Sequence, residues 1–257
     1  EEDTGMDKDS TRPRLSVIVP AFNASRTISQ ALKSLQTQTM PDWECVVVDD
    51  GSTDNTYGIA RAFGERDPRI WAIRLERNGG APRAFNAGLD RARGKYVAQL
   101  AADDYWLEDF LEKCVAVLER DQMCPAVYTD FIEWQQDAGL KFVRRMPNFD
   151  RRRLLREGYV NYSAFVMRRV MRLDPRWDPV ADWKAVIETA RHRPLVRLPE
   201  ILAVRRVHDE QVSQRHRTKM VWKSFLLAFG YAPGPALRRL YQGISWPVMG
   251  HLSFKYR

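Results

Sequence analysis

The sequence predicts an α/β domain in which helices wrap a mostly parallel sheet, and three observations carry that prediction. Four short apolar strands alternate with helical segments of ten or so residues between Leu15 and Leu118. The strands are continuously apolar, as in a sheet covered on both faces. Each strand ends abruptly in small or polar residues, at the edge where such sheets bind ligands.

Leu15 to Val19 (LSVIV) is the first buried strand, closed by Pro20. Ile28, Ala31, Leu32 and Leu35 then repeat at one face of a helix. Trp43 to Val48 is the second strand, and Thr53 to Phe63 the next helix, with Ser52 as the expected N-cap. Ile70 to Leu75 is the third strand. Gly79-Gly80 breaks the chain before a helix from Arg83 to Ala92. Tyr96 to Leu100 is the fourth strand, and Leu107, Phe110, Leu111, Cys114 and Leu118 mark another helix. After Asp121 the pattern changes. Ala126 to Trp134 and Leu140 to Arg145 read as a hairpin around Asp137-Ala138-Gly139. A helical turn over Asp150 to Arg156, a strand from Ser163 to Met167, a helix from Asp182 to Arg191 and a strand from Leu195 to Leu198 follow.

The 257 residues, 44% of them hydrophobic, suffice for one large domain with a small appendage. Residues 1–13 are acidic and polar and read as a disordered leader, not a signal peptide. Residues 214–257 read as a basic, amphipathic helical tail, with Trp222, Phe225, Leu226 and Phe229 at helical spacing between lysines. From Arg191 onward there are 13 Lys and Arg against 3 Asp and Glu; the remainder carries 28 against 30. The basic excess therefore sits at one end, which suggests an anionic partner or a solvated helical face. A basic–aromatic platform or helix-turn-helix is missing, so nucleic acid is not the expected partner. No apolar run approaches the roughly 18 residues of a membrane span. Three cysteines, without a metal-type spacing, fit a reducing compartment. The expected location is the cytoplasm, with peripheral contact at the inner face of the cell membrane through the tail.

Two strand ends carry paired acids, Asp49-Asp50 and Asp103-Asp104. Four carboxylates on one rim repel unless a cation joins them. Mg2+ or Mn2+ suits a shell of carboxylates, waters and substrate phosphates. The plainer alternative is that Asp50 and Asp104 cap helices and Asp182 caps its own. Trp106 and Trp183, beside acids, can stack on sugars or pack in the core.

The stretches SVIVPAFNASRTISQALKSLQTQT, ECVVVDDGSTDNT and DPRIWAIRLERNGGAPRAFNAGLDRARGKYVAQLAADD, followed in order by VYTDF, NYSAFVMRR, ADWKAVIETA and LPEILAVRRVH, resemble the family 2 glycosyltransferases. The resemblance runs from about Leu15 to Ser213. It implies a single Rossmann-like, A-type glycosyltransferase domain over 14–213, with a nucleotide-binding half (14–121) and an acceptor half (122–213). It further implies an inverting, metal-dependent transfer of a sugar from a nucleotide-diphosphate donor, a UDP-sugar as first guess, to a hydroxyl of a glycan or lipid-linked acceptor. By position, Pro20, Ala21 and Asn23 surround the base, Asp49 contacts it, and Asp50 lies beside it. Arg83 and Asn86 approach the diphosphate. Ala102 and Asp103 line the sugar nucleotide, Asp103, Asp104 and His208 hold Mn2+ or Mg2+, and Asp182 is the catalytic base. Three positions depart from the family pattern: Ala101 and Ala181 replace acids, and Phe85 replaces an arginine. These departures motivate the alternative of a non-catalytic relative that binds a sugar nucleotide or a partner.

Overall fold

A computed structural model of the chain describes residues 12–168, 171–208 and 217–231. The chain up to Asp121 contains β1 (Leu15–Ala21), α1 (Ile28–Gln36), β2 (Trp43–Asp49), α2 (Thr56–Gly64), β3 (Ile70–Arg74), α3 (Ala81–Leu89), β4 (Tyr96–Gln99), β5 (Tyr105–Trp106) and α4 (Phe110–Arg120). The remainder contains β6 (Ala126–Gln135), β7 (Leu140–Arg144), α5 (Arg151–Glu157), β8 (Phe165–Met167), α6 (Ala181–Thr189), β9 (Val196–Val207) and α7 (Arg217–Tyr231). Short 3-10 turns occur at Tyr162–Ala164 and Pro175–Trp177.

The strands join in one sheet, in the order β3-β2-β1-β4-β8-β6-β9-β5, with β7 paired to β6. β3, β2, β1 and β4 are mutually parallel, so their carboxyl ends share one edge. β8 enters antiparallel to both β4 and β6, which makes the sheet mixed. Alternation along β1 feeds two cores. Val17 and Val19 face the cluster with Leu32 and Leu35 of α1, Trp43 and Leu111. Ile18 faces the cluster with Phe85 of α3, Val97, Phe165 and Val186. The predicted α1 face is the buried one, Ile28, Ala31, Leu32 and Leu35. Truncating Leu32 to Ala would cost about 2–5 kcal/mol, because its surroundings are close-packed. At Gly88, α3 meets the sheet so closely that a Cβ would lie 2.5 Å from Ile18.

Several sequence expectations need correction. α2 starts at Thr56, not Thr53, and Ser52 does not cap it. The Ser52 hydroxyl instead accepts the Asn23 amide hydrogen at 2.9 Å. Asp50, Asp104 and Asp182 do not cap helices either: α2, α4 and α6 have Asn55, Asp109 and Val180 at their N-caps. β5 was not anticipated; it is two residues long and pairs with Ala203 and Val204, about a hundred positions away. β9 continues to Val207 rather than stopping near Leu198. Pro199 is accommodated because the β6–β9 register shifts at Thr129, Asp130 and Phe131, an irregularity that spares a proline its missing donor.

Residues 1–11 of the expected leader, and all of the expected tail except 217–231, lie outside the described residues, as does the side chain of Phe229. Within α7, Ser224, Leu227 and Ala228 are buried, and Trp222 and Leu226 are exposed. Among the described residues no helix is long and apolar enough to cross a membrane.

Candidate functional site

The β1 and β2 ends are tied together first. Asn23 adopts a left-handed φ of 49°, a conformation asparagine tolerates better than most residues. Its backbone N–H donates to Ser52, and its side-chain oxygen accepts the Thr53 amide hydrogen at 2.9 Å. Ala21 accepts the Asp50 amide hydrogen at 2.8 Å. Gly51 carries a φ of 70° where the Arg77 backbone would stand 2.9 Å from any Cβ, so a side chain does not fit there. Pro20 and Ala21 are the last residues of β1 at this edge.

Asp50 is buried, and its two oxygens accept the amide hydrogens of Gly79 at 2.9 Å and Gly80 at 2.8 Å. Burial and the neighbouring Asp49 raise its pKa, against those two hydrogen bonds and Arg83. The loop before α3 is thereby held against the end of β2. Arg83, although exposed, folds over Gly79: a Cβ there would meet the Arg83 side chain at 2.8 Å.

Asp49 differs from every other buried acid among the described residues. Glu44, at the opposite end of β2, accepts from Ser16 and from the Arg93 backbone and guanidinium. Asp67, Asp104, Asp130 and Glu133 also have hydrogen bonds. The Asp49 side chain is fully buried, yet neither oxygen accepts an aligned hydrogen bond. Its counter-charge is Arg74, with Nε at 3.2 Å, which itself donates to the Ser52 carbonyl. A buried carboxylate without hydrogen bonds is costly, and such groups are commonly completed by a ligand.

The second pair lies beyond β4. Asp104 is buried and accepts the Arg206 amide hydrogen at 2.9 Å, with Ser163 as a further hydrogen-bond partner. Burial, with Asp103 adding, pushes its pKa up to about 7. Asp103 is a quarter exposed, and His208 Nε2 lies 3.2 Å from its carboxylate. Ala102 is buried between this pair and β4. Ser163 also accepts the Ala101 amide hydrogen at 3.2 Å and lies in the turn Tyr162–Ala164.

Asp182 sits in the first turn of α6, half-buried, with one oxygen accepting the Trp183 amide hydrogen at 2.7 Å. Its pKa is raised, mainly by burial, with Asp178 adding and Arg205 opposing. Burial and the Asp182 charge raise that of Tyr162. The turn Tyr162–Ala164 thus connects the two acid groups: Ser163 meets Asp104, and Tyr162 feels Asp182. A raised carboxylate suits a group that must take a proton near neutral pH.

Arg205 was not singled out from the sequence. Its charge reaches both Asp104 and Asp182, so it ties the two groups electrostatically. The only signal was its place in LPEILAVRRVH, whose histidine had been noted. Arg74 was missed as well. Asn86 was expected near a diphosphate, but both ends of its amide engage the Leu173 backbone, at 2.7 and 2.9 Å. Trp106 stacks on Phe110 and donates to the Ser163 carbonyl, and Trp183 donates to the Leu154 carbonyl, so both are packing residues here.

Among the described residues no three His, Cys, Asp or Glu side chains form a group that could by itself hold a metal ion. The donor chemistry accounts for this. Ala101 stands where an acid would extend the shell, and Asp104 is committed to Arg206 and Ser163. The remaining pair, a carboxylate and an imidazole, fits a divalent cation that takes its other ligands from a diphosphate and water.

The sequence profile described as Glycosyl transferase family 2 matches residues 16–174. TuaG of Bacillus subtilis, named for teichuronic acid biosynthesis, is 40% identical over 126 residues, 49% of this chain and 50% of that protein. Chondroitin synthase of Pasteurella multocida is 36% identical over 117 residues, 46% of this chain and 12% of that protein. The chain thus spans half or less of the length of these relatives. S. aureus TarS, residues 1–349 with UDP, superposes with a TM-score of 0.68 at 19% identity, covering 95% of this chain and 75% of that one. The Pyrobaculum calidifontis mannosyltransferase PcManGT, with GDP-Man and Mn2+, gives 0.66 at 23% identity, covering 90% and 71%. Both likenesses carry the A-type fold, and the profile match over most of the domain carries the family: the chain belongs to glycosyl transferase family 2.

Proposed function

We propose that the protein transfers a sugar from a nucleotide-diphosphate donor to a hydroxyl acceptor with inversion. The observation that carries the reading is Asp49: a fully buried carboxylate at a strand end, lacking hydrogen bonds, beside a clamped diphosphate-side loop. It suits the N–H edge of a base, either the single N–H of uracil or the paired donors of guanine. UDP-sugars come first, because S. aureus TarS has been crystallised with UDP and UDP-GlcNAc. Pro20, Ala21 and Asn23 frame the base, and Asp50 keeps its loop in place. Ala102 lines the sugar side, and Arg83 supplies positive charge to the diphosphate. Asn86 contributes by fixing the segment at Leu173.

Asp103 and His208 would hold Mn2+ or Mg2+, with Asp104 positioning them. A cation there would stabilise the charge that builds on the leaving diphosphate. Asp182 takes the acceptor hydroxyl proton as that oxygen attacks the anomeric carbon. The bond from that carbon to the diphosphate oxygen breaks, and its electron pair leaves with the nucleoside diphosphate. Attack opposite the leaving group inverts the sugar centre. The acceptor belongs to polysaccharide, glycolipid or glycoprotein synthesis in the cytoplasm.

A donor screen with Mn2+, measuring nucleoside diphosphate release, tests the reading. At least one donor should turn over, and Asp182→Asn should lower turnover by about 10²–10⁴-fold. Binding of a nucleotide without release, unaffected by Asp182→Asn, would establish the non-catalytic alternative. Phe85, fully buried against Tyr162, shows that this departure from the family pattern serves the core, and Arg83 offers a cation nearby.

A further inference from the structure

We propose that the outer face of α7 docks on an anionic lipid surface beside the mouth of the cleft. Ser224, Leu227 and Ala228 bury the inner face of α7, with Leu227 in the same core cluster as Leu154 of α5 and Val186 of α6. Lys219, Trp222, Lys223, Leu226 and Gly230 fall on one outward stripe, at steps of three, four, seven and eleven. Trp222 is 61% exposed, the highest value for a large apolar residue among those described, and Leu226 one turn on is 39% exposed. An indole and a leucine projecting between lysines is the arrangement of a helix that lies in a membrane interface.

Charge selects the occupant. Arg151, Arg152 and Arg156 of α5, which packs against α7, are exposed, and Arg176 is 88% exposed. Of the acids of this side all but Asp150 are paired: Asp174 with Arg176, Asp178 with Lys219, Glu157 with Arg153, Glu188 with Lys184. Arg151, Arg152, Arg156 and Lys223 are not used in these pairs and face only Asp150, so the surface stays basic. Basic residues around inserted apolar side chains complement anionic headgroups.

The placement is also informative. Lys219 Nζ lies 3.7 Å from Asp178, and Lys223 donates to the Arg176 carbonyl. The same Asp178 carboxylate stands 4.0 Å from where a Cβ on Gly80 would be. The docking face is therefore one loop away from the glycine that Asp50 holds. A lipid-linked hydroxyl would approach Asp182 from this side. That orientation rests on the transferase reading; the docking does not.

The native cysteines Cys45, Cys114 and Cys124 are all buried, so Leu226→Cys gives a selectively labelled thiol. In the full chain this site carries an environment-sensitive nitrobenzoxadiazole probe. A matching probe replaces Leu140, which is 51% exposed on β7 beside Phe142 and Val143, the rival apolar cluster. Phosphatidylcholine vesicles are added with and without phosphatidylglycerol. The Leu226 probe should shift blue only with phosphatidylglycerol, the shift should weaken with salt, and the Leu140 probe should not respond. Trp222→Ser should lower vesicle flotation by about tenfold while leaving donor turnover unchanged. No response at Leu226, a response at Leu140 alone, or flotation untouched by Trp222→Ser overturns the proposal. So does a Leu226 probe already shielded without vesicles, whether by residues 232–257 or, if the shielding grows with protein concentration, by a second copy. Vesicle docking without turnover of any donor would leave docking standing and remove the transferase reading.

Discussion

The two aspartate pairs at the strand ends flanking β1 share a division of labour. In each, the second carboxylate is buried and accepts backbone amide hydrogens from a distant segment: Asp50 from Gly79 and Gly80, Asp104 from Arg206. In each, the first meets a basic side chain instead: Asp49 meets Arg74, and Asp103 meets His208. The difference lies in access. Asp49 is sealed, whereas Asp103 is a quarter exposed. Under the proposed function, the sealed pair would meet the flat edge of a base and the open pair would share a cation with solvent and phosphate. At Asp49-Asp50 the division follows from successive side chains at a strand end pointing to opposite sides; at Asp103-Asp104 a turn beyond β4 separates them.

The strongest way to break this comparison is to remove the charge of a first residue at the open pair. Asp103→Asn should lower turnover by about 10²–10³-fold, the usual cost of losing one electrostatic group at a developing charge. Its thermal midpoint should fall less than that of Asp104→Ala, because Asp103 is a quarter exposed and pairs with His208 rather than with a buried amide. Midpoint and turnover falling together would make Asp103 a fold residue and dissolve the division.

Second residues should show the reverse weighting. Asp50→Ala strands the Gly79 amide, whereas Gly80 keeps the Asn78 side-chain oxygen at 3.2 Å, so the change should cost about 1–3 kcal/mol. Asp104→Ala strands the Arg206 amide and should cost about 1–3 kcal/mol. Denaturant titration reads both. An Asp50→Ala protein as stable as wild type would mean the loop holds itself. Asp49→Asn sharpens the same contrast: it should raise the donor KM about 10–100-fold, equivalent to a charge-assisted hydrogen bond, with kcat and stability little changed. A loss of stability instead would show that the Arg74 pair serves the fold.

The division itself was not legible in the sequence, although both pairs were. β1 to β4 follow from short continuous apolar runs, the mark of strands covered on both faces. The helix after β2 was placed three residues early, because Ser52 looks like a cap until the Asn23 loop captures it. β5 is too short to have a period, and β9 looks terminated at Pro199 because its extra residues, Pro199, Glu200 and Leu202, are recognisable as a bulge only in the pairing with β6. Pairings such as Asp104 with Arg206, Asp103 with His208 and Asn86 with Leu173 span 87–105 positions and leave no local pattern. Motif order placed these residues in one site; it did not say which carboxylate is spent on the fold. Arg205 shows the same gap, since a charge felt by two distant acids has no spacing to read.

Asp54 gives the mildest test, because it is the third acid of the β2 loop and its pKa moves opposite to that of Asp50. Burial alone would raise it, but hydrogen bonds from Thr56 and Ser25 hold it at about 2, below its ordinary 3.8. The folded protein then binds this proton less tightly than the unfolded chain. Its contribution is complete above the unfolded value and disappears as pH falls from about 4 to about 2. Asp50, raised, has the opposite sign: its ionisation costs stability as pH climbs above the ordinary carboxylate range. The unscreened Asp54 shift would be worth about 2.5 kcal/mol, and its solvent exposure reduces this to about 1 kcal/mol or less. Thermal midpoints of wild type and Asp54→Asn should therefore differ at pH 5 and converge toward pH 2. A constant gap across that range would mean that the hydrogen bonds to Ser25 and Thr56 do not depend on its charge, whereas no gap at any pH would leave the β2 loop to its ties with Asn23, Arg74 and Asp50.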